Sequence, residues 1–152
     1  MPTVERFEEL RVWQESRDIV GIVYRLTKQF PSSERYGLSS QIQRASVSTM
    51  SNIAEGFERE TNKEFIRFLY IAKGSNGEVR SQAYIALDLG YISQARCDGL
   101  VQRCERLSRR LYNFIEYLKH NSTPGPRLRE PPPTWQVGQP ETMKPETVEP
   151  ET

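Results

Sequence analysis

Three residues, Glu58-Arg59-Glu60, separate two stretches whose apolar residues recur at helical spacing. A link that short joins only antiparallel neighbours, so the stretches must fold back on each other as a helical hairpin. The second arm opens on Thr61-Asn62-Lys63-Glu64, a T-x-x-E capping box that satisfies orphan amides at a helix start. Its apolar stripe is Phe65, Phe68, Leu69, Ala72, Val79, Ala83 and Ala86. The first arm has Ser39 as its expected N-cap and Ile42, Met50, Ile53 and Phe57 as its stripe, with Ala45, Ser46 and Thr49 at small positions. Gly56 stands near its C-terminal end, where glycine is favoured.

The flanking chain supplies two more helices. From Phe7 to Phe30, Val12, Ile19, Val23, Leu26 and Phe30 mark a helix that Pro31 ends. Gly90 closes the hairpin, and Ser93 caps a last helix that carries Leu100, Cys104, Leu107, Leu111, Phe114, Ile115 and Leu118 to about Asn121. The expected fold is all-α: an antiparallel up-down-up-down four-helix bundle over residues 1–120. From Asn121 the composition turns to Pro, Glu, Thr and Gly, with Pro-Glu-Thr recurring at 140, 145 and 150. Residues 121–152 read as a disordered Pro-rich tail outside the bundle, because they cannot bury enough apolar surface to offset their ordering entropy. Docking of this tail on a partner is the alternative, with Trp135 as its anchor.

Composition narrows function chiefly by exclusion. Lys and Arg number 21 against 20 Asp and Glu, so no overall basic field draws the chain to nucleic acid. Residues 1–120 hold 18 basic and 15 acidic side chains, a mild excess compatible with RNA binding. The two cysteines, Cys97 and Cys104, sit about 10 Å apart along a helix. That exceeds the disulfide limit of about 7 Å, so both are expected as reduced thiols. The start MPTVERFEEL lacks the pattern of a signal peptide, and no apolar run reaches membrane-spanning length. A cytoplasmic protein is the simplest expectation. The single histidine, His120, lies at a helix end; there is no C-x-x-C and no E-x-x-H pair. No enzyme activity, cofactor, metal site or small-molecule substrate is expected.

Polar residues within the hairpin are more informative. Antiparallel facing places Arg44, Ser75 and Glu78 at one level, and Asn52, Glu55, Glu64 and Arg67 at another. Arg44–Glu78 and Glu55–Arg67 are the expected partly buried pairs, because buried charge demands a partner. A second face of the third helix carries Ile66, Tyr70, Gly74, Gly77 and Ser81. Each glycine costs up to about 1 kcal/mol there, which close approach of another subunit would offset. Basic residues gather at Arg59, Lys63 and Arg67 around the turn, and at Arg103, Arg106, Arg109 and Arg110 on the last helix. An arginine stripe can follow a phosphate backbone; a solvated face balanced by Glu105 and other acids is the plainer alternative.

F-E-E-L-R-V-W-Q at Phe7–Gln14, Y-G-L-S-S-Q-I-Q-R-A at Tyr36–Ala45, S-N-I-A-E-G at Ser51–Gly56 and K-E-F-I-R-F-L-Y-I-A-K-G-S-x-x-E at Lys63–Glu78 resemble the 23S rRNA intervening-sequence protein, or S23, family. Gly90–Ser93 fits as well, and the resemblance spans residues 6–119. It implies a small cytoplasmic bacterial four-helix bundle without established enzyme activity, assembling in some members as a homopentamer. A related branch, the accessory variability proteins of diversity-generating retroelements, binds a reverse transcriptase and nucleic acid. Met50 stands where the family often has proline, and this body is only mildly basic, unlike that branch. The leading expectation is a homo-oligomeric scaffold that binds RNA. A retroelement accessory subunit, or a protein-interaction module without nucleic acid, are the alternatives.

Overall fold

The computed structural model describes residues 4–121 and 130–138. Four helices, α1 (Arg11–Thr27), α2 (Leu38–Phe57), α3 (Asn62–Asp88) and α4 (Gln94–His120), pack in sequence order, with α1 against α4 closing the bundle. The stripes anticipated on α3 and α4 are buried throughout. Phe65 is buried next to the α2–α3 turn, edge-on to Phe57 at 6.1 Å and to Phe114 at 5.3 Å. Each fully buried Leu, Ile or Phe contributes about 1.5–3 kcal/mol.

Helix ends show where local chemistry was readable. Thr61 Oγ1 accepts the Glu64 N–H at 3.2 Å, and Ser93 Oγ accepts the Arg96 N–H at 3.2 Å. Gly90 adopts φ +76 and completes a Schellman stop: the Tyr91 N–H donates to the Ala86 carbonyl, and the Gly90 N–H to Leu87. The first helix differs from expectation. Phe7–Glu9 form a 3-10 turn, and Leu10 is extended (φ −69, ψ 128), which drops its side chain fully into the core. Regular α1 therefore begins only at Arg11 and stops at Thr27, before Pro31 acts. On α2 the cap is Gly37 rather than Ser39. Ser39 is buried, and the Glu34 carboxylate accepts the Leu38 N–H at 2.7 Å in its place.

The α2–α3 seam is the most extensive in the molecule, and Gly56 makes it possible. A Cβ at Gly56 would lie 2.6 Å from Phe68 Cβ and 2.8 Å from Phe65 Cδ2. The left-handed glycines among the described residues are Gly90 and Gly138. Gly56 is therefore needed for close helix approach, not for the C-terminal backbone conformation that its position suggested.

Residues 130–138 lie against the bundle. Trp135 is 8% exposed and meets Tyr117 edge-on at 5.5 Å. The Pro-Glu-Thr repeats at 140, 145 and 150 lie outside the described residues. No described helix is long and apolar enough to cross a membrane.

Candidate functional site

The hairpin's polar residues meet in a different register from the expected one. Ser48 Oγ and Ser75 Oγ lie 2.9 Å apart, and Asn52 Nδ2 donates to the Ser48 carbonyl at 2.8 Å and to its Oγ at 3.1 Å. Asn52 and Ser75 are thus joined through Ser48, which periodicity alone did not single out. The expected ion pairs do not form. Arg44 and Glu78 are both exposed and make no ion pair among the described residues. Glu55 pairs with Arg59 at 2.9 Å along its own helix rather than with Arg67. The reason is the face each charge occupies, not its height. Gly56 opposite Phe68 sets the hairpin about one helical turn further along α3 than a symmetric turn implies. That leaves Arg44 near the level of Glu78 and Glu55 near that of Arg67, but all four side chains are exposed on the outer faces of their helices. A second pin was missed: buried Asn76 on α3 donates from Nδ2 to the Cys104 carbonyl of α4 at 2.7 Å.

The first basic cluster is largely committed. Arg59 and Arg67 both lie over the Phe68 ring, at 5.0 and 5.7 Å, while Lys63 is exposed. On α4, Arg110 pairs with Glu15 of α1 at 2.8 Å. Arg103, Arg106 and Arg109 are exposed, and among the described residues none has a carboxylate in ion-pairing range. The two clusters do not merge: one caps the α2–α3 turn, the other runs along α4.

Arg110 also lines a groove beside Arg11, Asn113 and Phe114 that the 130–138 segment covers. Glu130 reaches the start of α1, where its carboxylate accepts the Arg11 N–H at 3.0 Å and the Val12 N–H at 3.3 Å. Leu10 offers no side-chain oxygen, so α1 takes its N-cap from a residue over a hundred positions away. Burial pushes the Glu130 carboxyl above its ordinary value, against the opposing pull of the two amides and of Arg11 and Arg110. No local sequence signal could reveal this cap.

The outer face of α3 is open. Tyr70, Gly74, Gly77 and Ser81 are exposed, with Ile66 half-buried at the edge. A Cβ at Gly74 or Gly77 would meet nothing within 4 Å. Tyr84 and Ile85 extend this face, and the Tyr70 hydroxyl accepts from Lys119 Nζ at 2.7 Å. Burial raises both cysteine thiols, Cys104 to about 12, and both are free and buried. Among the described residues no group of three or more His, Cys, Asp or Glu could hold a metal ion.

Comparison with known proteins bears on the fold and lineage. The model of the family described as 23S rRNA-intervening sequence protein matches residues 8–113. A crystal structure of a protein of unknown function from the S23 ribosomal protein family of Bacteroides thetaiotaomicron is similar at 21% identity and a TM-score of 0.64, covering 68% of this chain and 97% of that one. No curated protein matches the chain.

Proposed function

We propose, from the premise that the chain belongs to the 23S rRNA-intervening sequence protein family, that it is a non-enzymatic, self-associating scaffold that binds RNA along α4. One observation carries the reading. Arg103, Arg106 and Arg109 stand exposed without a carboxylate in range among the described residues, while Arg59, Arg80 and Arg110 are paired. Unpaired guanidinium groups along one helix suit phosphate oxygens, and such contacts position a nucleic acid without reading its bases.

The outer face of α3 is the proposed subunit contact, because its glycines serve no packing within the protomer. A ring, such as the homopentamer of some relatives, would repeat the α4 arginines and raise avidity without new contacts. Nothing in the geometry favours a reverse transcriptase as partner over RNA itself.

The test has two arms. Native mass should exceed that of the 17.7 kDa chain, and a monomer in light scattering at micromolar concentration removes the subunit contact. Affinity for RNA should fall steeply with salt, and replacing both Arg106 and Arg109 by Ala should flatten the slope by about 1.4–1.8. No binding at about 50 mM salt removes the RNA reading.

A further inference from the structure

The seam between α1 and α4 holds a second groove, at the opposite end from the Glu130 cap. It is an open depression of about 330 Å³, at the small end of the range for ligand sites. Its floor is aliphatic: Leu26 and Leu100 are buried, and Ile22 is half-buried. Its rim carries three exposed arginines, Arg25 from α1 and Arg96 and Arg103 from α4. Among the described residues none of the three has a carboxylate within ion-pairing distance. Three like charges around an apolar floor repel one another unless an anion joins them.

Two glycines shape the space. Gly99 lies in the groove, and a Cβ there would meet nothing within 4 Å, so no packing within the protomer calls for a glycine in the second turn of α4. At Gly21 a Cβ would come within 3.3 Å of Arg25 Nη1, so the guanidinium lies back across a side-chain-free surface of α1. Glycine is unfavourable by up to about 1 kcal/mol at each helical position. The benefit of these two is an open floor and a positioned guanidinium.

We infer that this groove takes one nucleotide of a single-stranded RNA, its base on the Ile22–Leu26–Leu100 floor and its flanking phosphates on Arg25, Arg96 and Arg103. Arg96 and Arg103 lie about 10 Å apart along the helix, too far for one free phosphate to bridge. Their span suits a nucleotide with phosphates on both sides. A duplex keeps its bases stacked and offers the floor nothing, whereas a single strand can splay a base onto it. Guanidinium planes at the rim add stacking surface.

This inference rests on the RNA reading above, and the experiment separates the two. Binding of a fluorescein-labelled oligouridylate of about ten nucleotides is followed by anisotropy at several salt concentrations, beside a duplex of equal length. The proteins are wild type, Gly99→Leu, the double variant Arg25→Ala with Arg96→Ala, and the double variant Arg106→Ala with Arg109→Ala. Gly99→Leu fills the floor without removing charge. It should weaken single-strand binding by about tenfold or more, from lost stacking, and leave duplex binding unchanged. The Arg25/Arg96 variant should weaken single-strand binding and reduce its salt slope by about 1.4. Circular dichroism checks that each variant is folded. If wild type binds RNA and both groove variants bind the single strand equally well, the groove assignment is wrong while the RNA reading stands. If wild type binds neither RNA at about 50 mM salt, both readings fall.

Discussion

Gly56→Ala places a methyl group where α2 and α3 touch. The new Cβ would lie 2.6 Å from Phe68 Cβ, 2.8 Å from Phe65 Cδ2 and 3.4 Å from the Phe65 carbonyl. The first contact is about 1 Å short of a comfortable carbon–carbon separation. Neither partner can easily retreat. Phe65 is 1% exposed and wedged edge-on between Phe57 and Phe114, and a Cβ moves only with its backbone. The helices must part locally, which costs about 1–3 kcal/mol as overpacking. Ala is the better helix former by up to about 1 kcal/mol, which offsets part of this. The net expectation is a loss of about 1–2 kcal/mol. Gly77→Ala is the control, since its Cβ meets nothing within 4 Å and should leave the protomer up to about 1 kcal/mol more stable. Urea denaturation followed by circular dichroism, repeated over a range of protein concentrations, measures both. A Gly56→Ala protein as stable as wild type would refute the close-approach argument, and with it the account of the hairpin's register.

Glu130→Ala should cost about 0.5–2 kcal/mol as the loss of an N-cap and speed hydrogen exchange at the Arg11 and Val12 amides; unchanged exchange there would show that the cap is not made in solution. Trp135→Ala should release the same segment, with exchange at those amides accelerating as it does for Glu130→Ala. The Cys104 thiol, held up to about 12 by burial, stabilises the fold fully below the ordinary thiol value and loses that contribution as pH climbs from there towards 12. Wild type should therefore lose stability more steeply above about pH 9 than Cys104→Ala does, and parallel pH profiles would argue against the shift. Asn76→Asp should destabilise the bundle by several kcal/mol at neutral pH, since a buried charge would replace the donor to the Cys104 carbonyl; a melting curve near wild type would count against that pin.

The features legible in the sequence are those set by neighbours along the chain. The Thr61 and Ser93 caps, the stop at Gly90 and the apolar stripes of α3 and α4 depend on spacings of a few residues, and the structure has each of them. Register between helices is set by shape, and shape is not periodic. A symmetric turn places Arg44 beside Ser75, but one glycine opposite two phenylalanines slides the hairpin by about a turn and brings Ser48 to Ser75 in its stead. Arg25 and Arg96 went unnoticed for a related reason. Each looks like an isolated surface charge until α1 is laid antiparallel on α4, a step the up-down topology already permitted. Glu130 lies beyond any such step, because a long intervening segment separates it from the helix it caps.

The four seams of the bundle are not equivalent, and their differences indicate where ligands can act. Between α2 and α3 a glycine opposite two phenylalanines lets the backbones come close, and the Ser48–Ser75 hydroxyl pair, held on the α2 side by Asn52, fixes their register. A seam of that kind transmits strain and admits nothing. The α1–α4 seam has less direct helix contact and is bridged by long side chains, as Glu15–Arg110 shows. One end is covered by the 130–138 segment, whose Pro131, Pro132 and Trp135 line a groove together with Arg11, Asn113 and Phe114 of the helices. The other end, between Ile22 and Arg103, has no such filler among the described residues. The same loose seam thus has an apolar-and-acidic segment docked at one end and an arginine-rimmed vacancy at the other. Glu130 and Trp135 show what the filled end holds: an acid and an aromatic ring beside Arg11 and Arg110. The open end suits the same chemistry, since three arginines with no carboxylate in range among the described residues match an anion with a flat apolar body. Because both ends are basic, Gly99→Leu, which adds bulk and no charge, separates a binding groove from a merely basic surface more sharply than any arginine substitution.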